Sequence, residues 1–99
     1  MSELPVTKKE YEKAVLMVNF IAKVRDSLEL NDTVKFTPLI NGYKIDFKLD
    51  DKQINILLDL KKGIKTKLIV NVFVNEIAEK SFISVSSEDN EKIVKEILK

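Results

Sequence analysis

The sequence predicts an α+β fold, with a five-strand antiparallel meander between a long N-terminal helix and a short C-terminal helix (α-β-β-β-β-β-α). Residues 1–99 form a single domain. Three observations carry this prediction. Apolar residues recur at helical spacing over 7–30, the period drops to two from Val34 onward, and turn residues punctuate the alternating stretch. A second helical pattern follows the Ser86-Ser87 pair.

The first helix has a marked start. Thr7-Lys8-Lys9-Glu10 reads as a capping box, in which the Thr7 hydroxyl accepts from the amide three residues on and Glu10 reaches back. Val6 and Tyr11 take the positions of a hydrophobic staple, and Asn31, in a left-handed conformation, is the expected stop. At 100° per residue, Tyr11, Ala14, Val15, Val18, Ile21, Ala22 and Leu28 form an apolar stripe that Met17, Phe20 and Val24 widen. The stripe exceeds what one sheet face needs, which suggests self-association as well as burial. Arg25 projects from it, suited to snorkelling or to pairing with Glu29.

Asn41-Gly42 is the strongest hairpin signal, because a type I′ turn needs positive φ at both central residues. A turn there pairs Ile40 with Tyr43, Pro38 with Ile45, Phe36 with Phe47 and Val34 with Leu49. Pro38 cannot donate to a ladder, so its strand belongs at an edge. A turn at Asp51-Lys52 then pairs Leu49 with Ile54, Phe47 with Ile56 and Ile45 with Leu58, and matches Lys44 with Asp59 and Lys48 with Asn55 on the other face. A turn around Gly63 sets Leu60, Leu58, Ile56 and Ile54 beside Leu68, Val70, Val72 and Val74. The last strand is expected near 81–86, after a connection over Asn75–Lys80, and adds Ile83 and Val85 to the inner face. Ser86 or Ser87 caps the closing helix. Glu88, Asp89 and Glu91 occupy its first turn, and Ile93, Val94, Ile97 and Leu98 its apolar side.

Composition limits the chemistry. The chain has no histidine and no cysteine, so disulfides, thiolate metal sites and most nucleophile–base pairs cannot be built. Its two glycines both fall at turns, which excludes a glycine-rich phosphate loop. Asp50-Asp51 and Glu76 with Glu79 read as solvated turn or loop residues rather than metal ligands. No enzymatic activity, metal, cofactor or small-molecule ligand is expected. No apolar run is long enough to span a bilayer and no signal peptide is evident, so a cytoplasmic protein is expected. Abundant Lys, Glu and Ile without Trp fits an AT-rich or thermophilic source, archaeal or viral.

Two surfaces are left to carry function. In this register Leu57, Ile69, Phe73 and Phe82 point away from the core, with Phe73 and Phe82 directly opposed. Either the C-terminal helix folds over that face, or it binds a partner, most simply a second copy in a homodimer. The other surface is the lysine-rich turn bearing Lys61, Lys62, Lys65 and Lys67. It suits sequence-independent contact with nucleic acid, or else a solvated tip that discourages edge pairing. Seventeen basic against 16 acidic residues make a dedicated phosphate binder the weaker reading. The expected function is therefore a small non-enzymatic interaction module that self-associates through the sheet face or the first helix. Nucleic-acid binding by the lysine hairpin is the alternative.

Overall fold

The computed structural model describes residues 8–40, 42–61 and 64–98, with backbone alone over 8–14. Its elements follow the expected order. Helix α1 (Lys8–Ser27) leads to strands β1 (Lys35–Leu39), β2 (Gly42–Leu49), β3 (Lys52–Lys61), β4 (Lys67–Val74) and β5 (Ile77–Ser84), and helix α2 (Ser87–Ile97) closes the chain. The five strands form one antiparallel meander in sequence order.

Both helices lie on the same face of the sheet. Phe20, Val24 and Leu28 of α1 and Ile93 and Val94 of α2 join Ile45, Phe47, Ile54, Ile56, Leu58, Leu68, Val70 and Val72 in one buried cluster. Helix α1 packs on β3 and α2 on β5, and the helices touch one another. The fold is thus two layers deep, and α2 does not cover the outer sheet face.

The start of α1, with Thr7 and Val6, lies outside the described residues, as does the side chain of Tyr11. The apolar stripe is centred elsewhere than its spacing suggests. Phe20 and Val24 are fully buried, with Met17 and Ile21 packed beside them, whereas Val18 is 58% exposed and Val15 also faces solvent. Asn31 does not take a positive φ. Its amide instead donates to the Leu28 carbonyl at 2.9 Å, and its side-chain Nδ2 reaches the Lys48 carbonyl at 2.8 Å, tying the helix exit to β2.

Three strand registers differ from expectation, and only one difference changes a face. Strand β1 pairs Phe36 with Ile45 and Pro38 with Tyr43, and β2 pairs Phe47 with Ile54 and Ile45 with Ile56. Each pairing is slipped by two residues, so every side chain keeps its predicted face. Leu39 pairs with Gly42, so Gly42 opens β2 without a positive φ; Asn41 lies outside the described residues. Gly42 matters for another reason: a Cβ there would stand 1.8 Å from the Leu58 carbonyl oxygen. The second turn is Asp50-Asp51, with φ 49° and 68°, rather than Asp51-Lys52. Aspartate tolerates the left-handed region better than lysine, which accounts for the slip. The β3–β4 register is as expected, with Leu58 opposite Val70 and Ile56 opposite Val72.

The last hairpin brings the correction that reverses a face. No long connection follows β4: Asn75 and Glu76, with φ 51° and 70°, make a tight turn straight into β5. A one-residue irregularity follows, because Phe73 pairs with Ala78 but Val72 pairs with Lys80. The extra residue inverts the alternation that a regular hairpin would carry through the strand. Phe82 therefore sits opposite Val70 and packs against the core, while Ile83 and Val85 are exposed.

Ser86 is the N-cap of α2; its hydroxyl accepts from the Asp89 amide at 3.2 Å, and the Asp89 carboxylate accepts from the Val85 amide at 3.0 Å. Asn90, one turn into this helix, is fully buried. Its Nδ2 donates to the Leu16 carbonyl at 3.0 Å and to Asn19 Oδ1 at 2.9 Å, and its Oδ1 lies in hydrogen-bond contact with the buried Ser84 hydroxyl. These contacts lock α1, α2 and β5 together.

Candidate interaction face

Alternation along β1 to β5 fixes what the uncovered face presents. One row across the strands reads Leu39, Gly42, Asp59, Ile69 and Ile83. The next reads Thr37, Lys44, Leu57, Asn71 and Ser81, and the third Lys35, Asp46, Asn55, Phe73 and Ala78. Leu57, Ile69 and Phe73 are half-buried by their neighbours in these rows, while Leu39 and Ile83 are 46% and 59% exposed. Three of the four residues expected on this surface are thus brought together. The fourth, Phe82, is on the opposite face. The proposed Phe73–Phe82 pair is replaced by Phe73 beside Ala78, and Ile83 takes the outward position that Phe82 was expected to fill.

The polar groups between the apolar ones bond to each other. Asn55 Nδ2 donates to the Asp46 carboxylate, Ser81 Oγ donates to Asn71 Oδ1 at 2.8 Å, and Lys61 Nζ stands 3.1 Å from the Asp59 carboxylate. Groups already paired within the surface lose less on being covered than groups that depend on water. Charge is also segregated. The outer positions of β1 and β2 hold Lys35, Lys44, Asp46 and Lys48, whereas those of β4 and β5 from Ile69 to Ile83 hold Ile69, Asn71, Phe73, Ala78, Ser81 and Ile83.

Both sheet edges are blunted. Strand β1 is five residues long and contains Pro38, which has no amide hydrogen to offer. Strand β5 carries the irregularity at Val72/Phe73, and Lys80, opposite Val72, points inward to meet Glu96 of α2 at 3.7 Å. An inward charge and a bulge both oppose edge-to-edge pairing. The broad face, not the edge, is the surface left open.

No protein-family model, curated protein or solved structure matches this chain.

The lysine-rich turn joins β3 and β4 at one end of the sheet. Lys61 opposes Lys67 in the last rung, Lys65 is exposed, and Lys62 lies outside the described residues. Asp59 already neutralises Lys61, so the basic cluster is weaker than its sequence implies. Beside it, Val15, Leu16, Asn19, Ile64, Lys65, Thr66, Val85 and Ser87 line an open cleft of about 770 Å³. Among the described residues no three His, Cys, Asp or Glu side chains gather as metal ligands, and no helix is long and apolar enough to cross a membrane.

Sequence reasoning missed Leu39 and Ile83 as members of the outer face, and Asn90 as the buried link between the helices. Ile83 was missed because the extra residue between Ala78 and Lys80 reverses the parity of the strand; a regular hairpin from the Asn75-Glu76 turn would have set Ile83 opposite Leu68, on the inner face. Only the turn was legible: Asn-Glu between Val74 and Ile77 fits a two-residue hairpin loop, with asparagine at the first left-handed position, but nothing marks the irregularity that follows it. Asn90 left no comparable trace.

Proposed function

We propose that this protein is a non-enzymatic interaction module that associates with a second copy of itself through the outer sheet face, centred on Leu57, Ile69 and Phe73. The observation that carries this reading is the placement of both helices on one side of the sheet, which leaves Leu39, Leu57, Ile69, Phe73 and Ile83, interspersed with polar side chains, uncovered on the other. Exposed contiguous apolar surface is costly to keep in water and is a mark of interaction sites. The mutually bonded Asn71–Ser81 and Asp46–Asn55 pairs lower the cost of covering it.

The size of the face sets the expected strength. Four strands spaced about 4.8 Å apart and seven residues long give roughly 440 Å² in projection. That is small beside the roughly 800 Å² per partner of a standard stable interface, so a concentration-dependent dimer is expected. Sedimentation or light scattering across a concentration series tests this. The expected result is a rise toward the dimer mass that Phe73→Lys abolishes. A monomer at about 1 mM, where about 4 kcal/mol of association would register, overturns the reading.

A further inference from the structure

We propose that the cleft between α1, the β3–β4 connection and the start of α2 binds a small fatty-acid-like carboxylate, with the acid group beside Lys65 and the hydrocarbon chain along Val15, Leu16 and Val85. The proposal stands apart from the self-association above and uses none of its residues.

The walls of this cleft come from three separate segments, which is why no small ligand is expected from the sequence. Val15, Leu16 and Asn19 lie on α1, Ile64, Lys65 and Thr66 belong to the connection between β3 and β4, and Val85 and Ser87 stand where β5 passes into α2. The fold gathers them at one end of the core, where Asn90 ties α2 to α1 and Leu68 pairs with Ser84. The space of about 770 Å³ falls within the roughly 300–1,000 Å³ of small-molecule sites.

The lining divides into an apolar wall and a set of donors. Val15, Ile64 and Val85 are 45%, 98% and 53% exposed, with Leu16 half-buried beside them. A hydrocarbon chain laid along them removes apolar surface from water. The polar groups favour an anion. Lys65 is the one charged residue among the described lining, and an ammonium donates without accepting. Asn19 Oδ1 is taken by Asn90 Nδ2 at 2.9 Å, so Nδ2 is what Asn19 offers a ligand. Thr66 and Ser87 add hydroxyls, which can donate to a carboxylate.

Among the described residues no Asp or Glu lines the cleft. Glu88 and Asp89 follow Ser87 in α2 but stand off the lining, and the Asp89 carboxylate accepts from the Val85 amide at 3.0 Å. On the side of the turn, Asp59 is engaged with Lys61 at 3.1 Å. Charge complementarity therefore selects an anion over a cation, and a single lysine suits a monoanion. A phosphate backbone resting on Lys65 would leave the apolar wall wet, whereas a carboxylate with a hydrocarbon chain uses both halves of the lining.

Decanoate is the probe, with decanol and decylammonium as its neutral and cationic counterparts. Titration followed by NMR should give saturable shifts of the amides around Val15, Lys65 and Val85, with decanoate bound most tightly and decylammonium least. Lys65→Gln should weaken decanoate about fivefold and leave decanol unchanged, the scale of one exposed ion pair. Val85→Asn should weaken the acid and the alcohol alike, about fivefold, by removing apolar contact. Both changes fall on exposed side chains, so the unfolding midpoint should stay at the wild-type value and any loss of binding is not a loss of fold. The absence of a saturable shift up to about 1 mM decanoate overturns the proposal. Decylammonium binding as tightly as decanoate overturns it, as does decanoate affinity that ignores Lys65→Gln. Shifts centred on Ile69 and Phe73 would assign the chain to the outer sheet face and overturn it too.

Discussion

Asn90 Nδ2 donates to the main-chain carbonyl of Leu16 at 3.0 Å, joining two helices across 74 positions of sequence. The same amide reaches Asn19, and its oxygen contacts Ser84, so one buried residue fixes the spacing of α1, α2 and β5. Replacing it with leucine removes the partner of the half-buried Asn19 side chain and one of the two acceptors of the Ser84 hydroxyl, which keeps its bond to the Ser86 carbonyl at 3.1 Å. The expected cost is about 1–3 kcal/mol in all. A lower urea midpoint with an unchanged slope is the expected result. A midpoint equal to wild type would mean that water replaces these bonds.

Gly42 stands where no Cβ fits. A methyl group would lie 1.8 Å from the Leu58 carbonyl oxygen, on main chain that cannot swing aside as a flexible side chain can. Gly42→Ala should therefore cost about 1–3 kcal/mol through overpacking, although Gly42 lies outside the apolar core. Thermal denaturation in dilute solution checks this. Unchanged stability would show that β2 and β3 can separate at this rung without penalty.

Glu76 holds a φ of 70°, in the left-handed region where a side chain is unfavourable. Glu76→Gly removes that strain and should raise stability by about 1 kcal/mol at concentrations where the protein is monomeric. A variant no more stable than wild type would contradict the strain assigned to this turn.

Phe73 and Phe82, read from sequence as a matched pair, should behave oppositely. Phe82→Lys places a charge against the core beside Val70 and should destabilise the fold by several kcal/mol. Phe73→Lys changes a half-buried outer-face residue and should cost only about 1 kcal/mol of stability while abolishing association. Equal destabilisation by both would place Phe73 in the interior as well.

Much of the fold was legible because alternation is robust to the errors made in reading it. The first two hairpins were each slipped by two residues, yet Ile45, Phe47, Ile54, Ile56 and Leu58 all lie on the predicted inner face. A slip of two preserves the face of every side chain, whereas one extra residue inverts it. That is why Leu57, Ile69 and Phe73 were placed outward and Phe82 was not: the irregularity in β5 adds a residue where hydrophobic pattern shows nothing unusual. The stripe of α1 was legible as a stripe but not in its centre. Val15 and Val18 are as apolar as Val24, and only the position of the sheet and α2 decides which of them is covered.

By itself the sequence determined the elements, their order, the meander and the inward parity of four strands, because these follow from local periodicity, turn chemistry and the alternation of side chains. Only the tertiary structure decided that both helices share one face, that β5 reverses its parity after the bulge, and that Asn90 links segments distant in the chain. Those outcomes depend on which surfaces pack together across long sequence separations. Hydrophobic burial rewards covering apolar area without regard to the order of residues that supply it, so local pattern leaves the choice open.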